Sequence, residues 1–113
     1  MVFSYNMLEK SSFRLVFGES PIIKVLDFLI DNQEFDYSLT DIAKGAEIAW
    51  STLHDFWPDF VRLSLVKKTR QIGRAELYKL NTENPVVQKL VELDLFISQQ
   101  LIMPQLEKEP ILA

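Results

Sequence analysis

Between residues 38 and 80 the chain carries two short helical patterns, a break between them, and then two short apolar stretches around a glycine. Isolated helices below roughly 12–15 residues are marginal in water. Each pattern must therefore bury its apolar stripe against neighbours, which limits the region to a helical cluster with a small sheet attached. In the first pattern Thr40 suits the cap and Asp41 the first turn, where the helix dipole favours an acid. Ile42, Ala43 and Ala46 are small or apolar, so this helix is able to lie close to another. Residues 45–49 hold the turn. Gly45 comes one residue early for a turn glycine, which leaves Glu47 or Ile48 to make it.

The second pattern runs from about residue 50 to 63. With Leu53 as reference on a helical wheel, Phe56, Trp57 and Phe60 share its side. Ser51, Asp55, Pro58 and Arg62 fall opposite, with Thr52, His54 and Asp59 on the flanks. Trp50 and Trp57 both read as core. Pro58 removes a backbone donor and predicts a kink or two shorter helical pieces. Residues 65–69 and 76–80 then read as paired strands. The loop 70–75 joins them, with Gly73 free to take positive φ. The order is helix, turn, helix, hairpin: a helix-turn-helix with a wing.

The flanks read as support. In residues 1–19, Phe13, Leu15 and Phe17 alternate with Arg14 and Val16, the period of a short strand ending at Gly18. This segment is expected to be a covering strand or an arm. Ser20-Pro21 marks a helix start, serine at the cap and proline first, running to about Asn32 with Ile22, Val25, Leu26, Leu29 and Ile30 on one face. Residues 37–39 are able to form a short edge strand. Asn84-Pro85 starts a last helix over 85–103, and the tail 104–113 is expected to be loose. Apolar residues cover more than one face of that helix, which predicts burial on several sides. A chain of 113 residues is one domain by size and covers only one of them. The other is expected to meet a second copy through Val87, Leu90, Val91, Leu93, Ile97 and Leu101. The fold class is mainly α with a small β-hairpin (α+β). Its parts are an N-terminal segment 1–19, a winged helix-turn-helix domain 20–80, a dimerisation helix 85–103 and the tail.

Charge is uneven. The formal net charge is −4, yet residues 40–80 hold seven basic and five acidic residues, a local +2. Lys67, Lys68, Arg70 and Arg74 gather on the hairpin. Such a cluster either contacts phosphate or is a solvated strand edge. The absence of cysteine excludes disulfides, cysteine zinc sites and thiol catalysis, and the single histidine excludes a multi-histidine metal site. His54 beside Asp55 reads as a surface or groove residue. No carboxylate pair, glycine-rich phosphate loop or Ser-His-Asp order stands out, so no enzyme, cofactor or metal is expected. No secretory signal or spanning segment is apparent, and the expected location is cytoplasmic.

Residues 20–80 resemble the winged helix-turn-helix superfamily of prokaryotic transcription regulators. They look most like small archaeal members and are similar in layout to the MarR and ArsR types. Leu39-Thr40-Asp41-Ile42-Ala43 matches the family's second helix, and Trp50-Ser51-Thr52-Leu53 the entry of its recognition helix. Leu65-Val66-Lys67-Lys68-Thr69-Arg70 matches the first wing strand, Gly73-Arg74 the wing tip, and Tyr78-Lys79-Leu80 the return strand. Three positions depart from the pattern. Ser64 replaces the usual glycine after the recognition helix, and Asp55 and Asp59 stand where Arg, Lys or Gln is common. The resemblance implies a regulator binding double-stranded DNA as a homodimer, with Ser51, Thr52, His54, Asp55 and Arg62 reaching the major groove. Lys67, Lys68, Arg70 and Arg74 would then contact the backbone or minor groove. The alternative is a protein-interaction module using the acidic outer face of the third helix. Neither effector nor operator is specified by the sequence.

Overall fold

The structure, a computed structural model, describes residues 11–102. The readings of residues 1–10 and of 103–113 lie outside the described residues. Five α-helices and a three-stranded sheet follow in the order α1 (Ser12–Phe17), α2 (Pro21–Asp31), β1 (Tyr37–Ser38), α3 (Leu39–Ala46), α4 (Trp50–Arg62), β2 (Val66–Ile72), β3 (Ala75–Leu80) and α5 (Pro85–Ile97). A π-helical turn, Ser98–Ile102, extends α5.

The strand expected near residue 13 is a helix. Phe13 and Phe17 are two residues from Leu15 on either side, which mimics a strand, but they are also i and i+4 on a helix. Their rings meet at 4.9 Å. The Ser11 hydroxyl accepts from the Arg14 N–H at 3.1 Å and caps the helix, and the Arg14 guanidinium is paired with Glu19. Phe13 enters the core, and Ser12 meets Ser98 of the π-helical turn, 2.6 Å between hydroxyl oxygens.

Helix α2 starts as expected, with Ser20 as cap and Pro21 first. Val25, Leu26, Leu29 and Ile30 are buried, whereas Ile22, one turn too early to meet the core, is 44% exposed. The cap of α3 is Ser38 rather than Thr40: its hydroxyl accepts from the Asp41 N–H at 3.2 Å. Strand β1 thus passes into α3 without a loop. Gly45 lies inside α3, not in the turn. Its missing side chain makes room for α2, because a Cβ there would sit 2.2 Å from Cε1 of Phe28. Glu47 makes the turn, at φ +60°. The Ile48 N–H donates to the Ala43 carbonyl and the Glu47 N–H to that of Lys44, a Schellman closure of α3.

Helix α4 runs unbroken through Pro58, so the division into two pieces does not occur. Leu53, Trp57 and Phe60 are buried against α2, α3 and the sheet. Ser64 supplies the missing glycine's conformation itself, at φ +59°. The Leu65 N–H reaches the Phe60 carbonyl at 2.9 Å and the Ser64 N–H that of Val61 at 3.0 Å, a second Schellman closure. Asn81 and Asn84 donate to the Ser64 carbonyl, each at 2.9 Å, and fasten the start of α5 to the end of α4.

The sheet is antiparallel in the order β1-β3-β2. Its strands are longer than the sequence suggests, so the hairpin turns on Gly73-Arg74 alone rather than on six residues. Gly73 has φ +61° and Arg74 a negative φ, the pattern of a two-residue type II′ turn. Trp57 packs edge-on against Tyr78, centroids 5.2 Å apart, and fixes the base of the wing on α4. Together these elements form a winged-helix fold. Among the described residues no helix is long and apolar enough to cross a membrane.

Helix α5 caps the core with Val87 and Ile97, so these two residues of the expected dimer face are buried within the chain itself. Leu90 and Val91 are half-buried beside the core. Leu93 and Leu101 are exposed, with Val86, Leu95 and Phe96.

Candidate nucleic-acid interface

The sequence marks two structures for nucleic acid, the outer face of α4 and the wing. On α4, Ser51, Asp55, Pro58, Asp59 and Arg62 are exposed, and Thr52 and His54 half-buried. Arg62 donates to Asp59 at 3.1 Å, so the helix's only cation is partly neutralised one turn away. Trp50 is not core. It stands in the first turn, on the open groove beside the start of α3, and is 55% exposed. Its ring lies over the His54 imidazole one turn on, centroids 3.6 Å apart.

On the wing, the four cations marked by the sequence divide; a fifth, Lys79 of β3, has no ion pair among the described residues. Lys68 binds Glu76 across the hairpin at 3.1 Å, and the Tyr78 hydroxyl donates to the same carboxylate at 3.1 Å. Lys68 first, then Tyr78, lowers the Glu76 pKa; Tyr78 is raised by burial and by Glu76. Arg70 forms a two-pronged pair with Asp36, Nε to Oδ2 at 2.9 Å and Nη2 to Oδ1 at 3.2 Å. The Thr69 hydroxyl donates to the same carboxylate at 2.6 Å. Arg70 first, then Thr69, holds the Asp36 carboxyl down to about 2.

The strand geometry makes this clamp possible. Successive side chains of a regular strand point to opposite faces. A β-bulge between Lys68 and Arg70 makes Thr69 an extra residue, so that Thr69 and Arg70 both reach Asp36. Asp36 is the partner that sequence reasoning missed. It lies 34 residues from Arg70, and no local pattern links the two.

Lys67 and Arg74 have no carboxylate partner among the described residues. Arg74, at the wing tip, borders a groove of about 250 Å³ together with Thr40, Trp50, His54 and Glu76. The structure thus brings Trp50, His54 and Arg74 to one end of the molecule. It withdraws Arg62, Lys68 and Arg70 into ion pairs. A second depression of about 290 Å³, at Gln33, Thr82, Gln88, Val91 and Glu92, lies away from these residues. The Gln33 and Gln88 amides there already donate to backbone carbonyls.

No protein-family model matches the sequence, and no curated protein matches it significantly. Solved structures do match the fold. Sso10a-2, a DNA-binding protein from Sulfolobus solfataricus, aligns at a TM-score of 0.50 and 13% identity over 80% of this chain and 94% of its own. NadR in complex with 4-hydroxyphenylacetate aligns at 0.58 and 18% identity, over 79% and 63%. A MepR variant from a multidrug-resistant S. aureus clinical isolate aligns at 0.52 and 19% identity, over 97% and 86%. At these identities the likeness concerns the fold, and it agrees with the winged-helix architecture seen here.

Proposed function

We propose that this chain is a DNA-binding transcription regulator that engages duplex DNA as a homodimer, through the N-terminal end of α4 and the wing. The observation that carries the reading is the position of its free cations. Arg74 borders the groove that opens on the start of α4, and Lys67 lies on the same hairpin. Cations without a carboxylate are the ones able to displace counterions from phosphates. The fold it shares with Sso10a-2, itself a DNA-binding protein, supports the same reading. It needs no catalytic group, cofactor or metal.

The dimer rests on α5. Val86, Leu93, Leu95, Phe96 and Leu101 are apolar and exposed around the outer half of the helix, and a second copy packed there would cover much of this surface. Two copies would read half-sites about one helical turn apart. Sedimentation tests this part: a monomer at micromolar concentration refutes it.

Binding of mixed-sequence duplex across a salt series tests the DNA reading. Replacing Lys67 and Arg74 with alanine should flatten the logarithmic salt slope by about 0.9 for each phosphate no longer neutralised. No binding at ~50 mM salt refutes it. One observation favours a second reading, an interaction module for a basic protein. Asp55 and Asp59 are both exposed on α4, and its only cation is tied to Asp59. Failure on DNA together with retention on a cationic surface would favour this second reading.

A further inference from the structure

We infer that Trp50 is a specificity-determining residue which reads thymine methyl groups in the major groove, braced by His54 and flanked by Arg74. The inference rests on the DNA-binding reading above and names what that site selects. It begins from an exception to burial. Tryptophan carries the largest apolar surface of any side chain, and its burial stabilises cores and interfaces. Here Trp57 is 4% exposed, whereas Trp50 on the same helix is 55% exposed.

The exposed ring is held in place. It lies over the His54 imidazole at 3.6 Å and forms one wall of the groove whose far side is the wing tip. A recognition helix presents its N-terminal residues to base edges, and Trp50 is the first residue of α4.

The other side chains on that face decide what can be read. Bidentate recognition of guanine uses Arg or Lys, and of adenine Asn or Gln. The outward face of α4 offers Ser51, Asp55, Pro58, Asp59 and an Arg62 already paired with Asp59. Arg62 stands at the far end of the helix, so Arg, Lys, Asn and Gln are missing near its start. Beside the polar bonds that Ser51 and Asp55 can make, Trp50 offers apolar contact, and the apolar group displayed on base edges in the major groove is the thymine methyl. Arg74 supplies the charge complement from the wing tip, a cation without a carboxylate partner among the described residues that borders the same groove, where the Glu76 carboxylate is already paired with Lys68.

The test compares two duplexes of one alternating A·T sequence, about two helical turns long. One contains thymine and the other deoxyuridine, which lacks only the methyl. Anisotropy titrations of the full chain at fixed low salt are expected to show tighter binding to the thymine duplex, by about fourfold for each methyl covered. Trp50→Ala should close the gap between the duplexes, and Trp50→Phe should keep part of it. Equal affinity of the unmodified chain for both duplexes, with normal salt dependence, overturns the inference and leaves DNA binding standing. So does full discrimination by Trp50→Ala. Stronger binding to single-stranded oligothymidine of the same length than to the duplex overturns it in favour of stacking on unpaired bases. No binding to either duplex overturns both the inference and the DNA reading.

Discussion

Gly45→Ala should destabilise this protein, against the usual direction. In a helix interior, alanine is favoured over glycine by about 0.8–1 kcal/mol, and Gly45 has ordinary helical neighbours in α3. The new Cβ, however, would stand 2.2 Å from Cε1 of Phe28 and 2.6 Å from its Cδ1 and Cζ. The phenyl ring would have to move, and it packs on Tyr37 with centroids 5.1 Å apart. Overpacking of this kind costs about 1–3 kcal/mol. After the propensity gain, a net loss of about 1 kcal/mol remains, or a fall in Tm of roughly 4–8 °C for a domain of this size. The assay is thermal unfolding by far-UV circular dichroism for Gly45→Ala, Phe28→Ala and the double variant. With the ring removed, Gly45→Ala should stabilise by its intrinsic ~1 kcal/mol. A higher Tm for Gly45→Ala alone, or the same effect in both backgrounds, refutes the close α2–α3 contact as the reason for the glycine.

Three other outcomes are expected. Ser64→Gly should stabilise by about 0.5–1 kcal/mol in denaturant melts, because glycine removes the left-handed penalty while giving back part of it as chain entropy; a loss of stability would refute it. Asp36→Asn should free Arg70 and remove a carboxylate from the wing, so DNA binding should tighten and its salt slope steepen by about 0.9; weaker binding would show that the clamp is needed to hold the wing. Stability should fall from mildly acidic to neutral pH. Asp27 and Asp31 on α2 and Asp94 on α5 share one seam, with Arg14 and Glu19 near Asp27. Burial raises the pKa of Asp27, partly offset by the Ser11 hydroxyl and Arg14, and raises that of Asp94; lost hydration and repulsion from Asp27 and Asp94 bring Asp31 up to about 6. A raised carboxyl binds its proton more tightly in the folded state, so the stability it contributes is lost as pH rises from about 4 through about 6. Asp31 keeps solvent contact, which limits the size of its effect. Tm measured from pH 5 to 7 should decline, and the decline should shrink in Asp27→Asn; a flat profile in the unmodified chain refutes it.

Local chemistry explains which features the sequence disclosed. Ser20-Pro21 and Asn84-Pro85 start helices as their capping rules require, and the side of α4 marked by Leu53, Trp57 and Phe60 is the buried one. Glu47 is one of two candidates for the α3 turn and takes the left-handed conformation. Most of the errors share a cause, a partner far along the chain; the first helix is decided locally. Five residues around Leu15 satisfy both the strand and the helix period, and the Ser11 cap decides between them. Ser38 and Thr40 are both good caps, and the pairing of β1 with β3 selects the earlier one. Trp50 has the wheel position of a core residue but lies on the open groove between the start of α3 and the wing tip. The wing's cations are visible in the sequence as a cluster, whereas their division into free and clamped follows from Asp36 and Glu76 across the sheet.

The bulge at Thr69 also determines which residues can stand at the wing tip. Hydrophobic patterning normally locks the register of a strand, because a slip of one residue turns the buried face outward. Strand β2 has little such patterning, with Val66 buried and the six residues after it exposed. Its register therefore rests on the two-residue turn, which needs Gly73 at positive φ. Asp36 adds to this by gripping two adjacent side chains that the bulged register presents together. The clamp acts as a second index pin beside the turn: both favour the register that leaves an arginine rather than Gln71 or Ile72 at the apex of the hairpin.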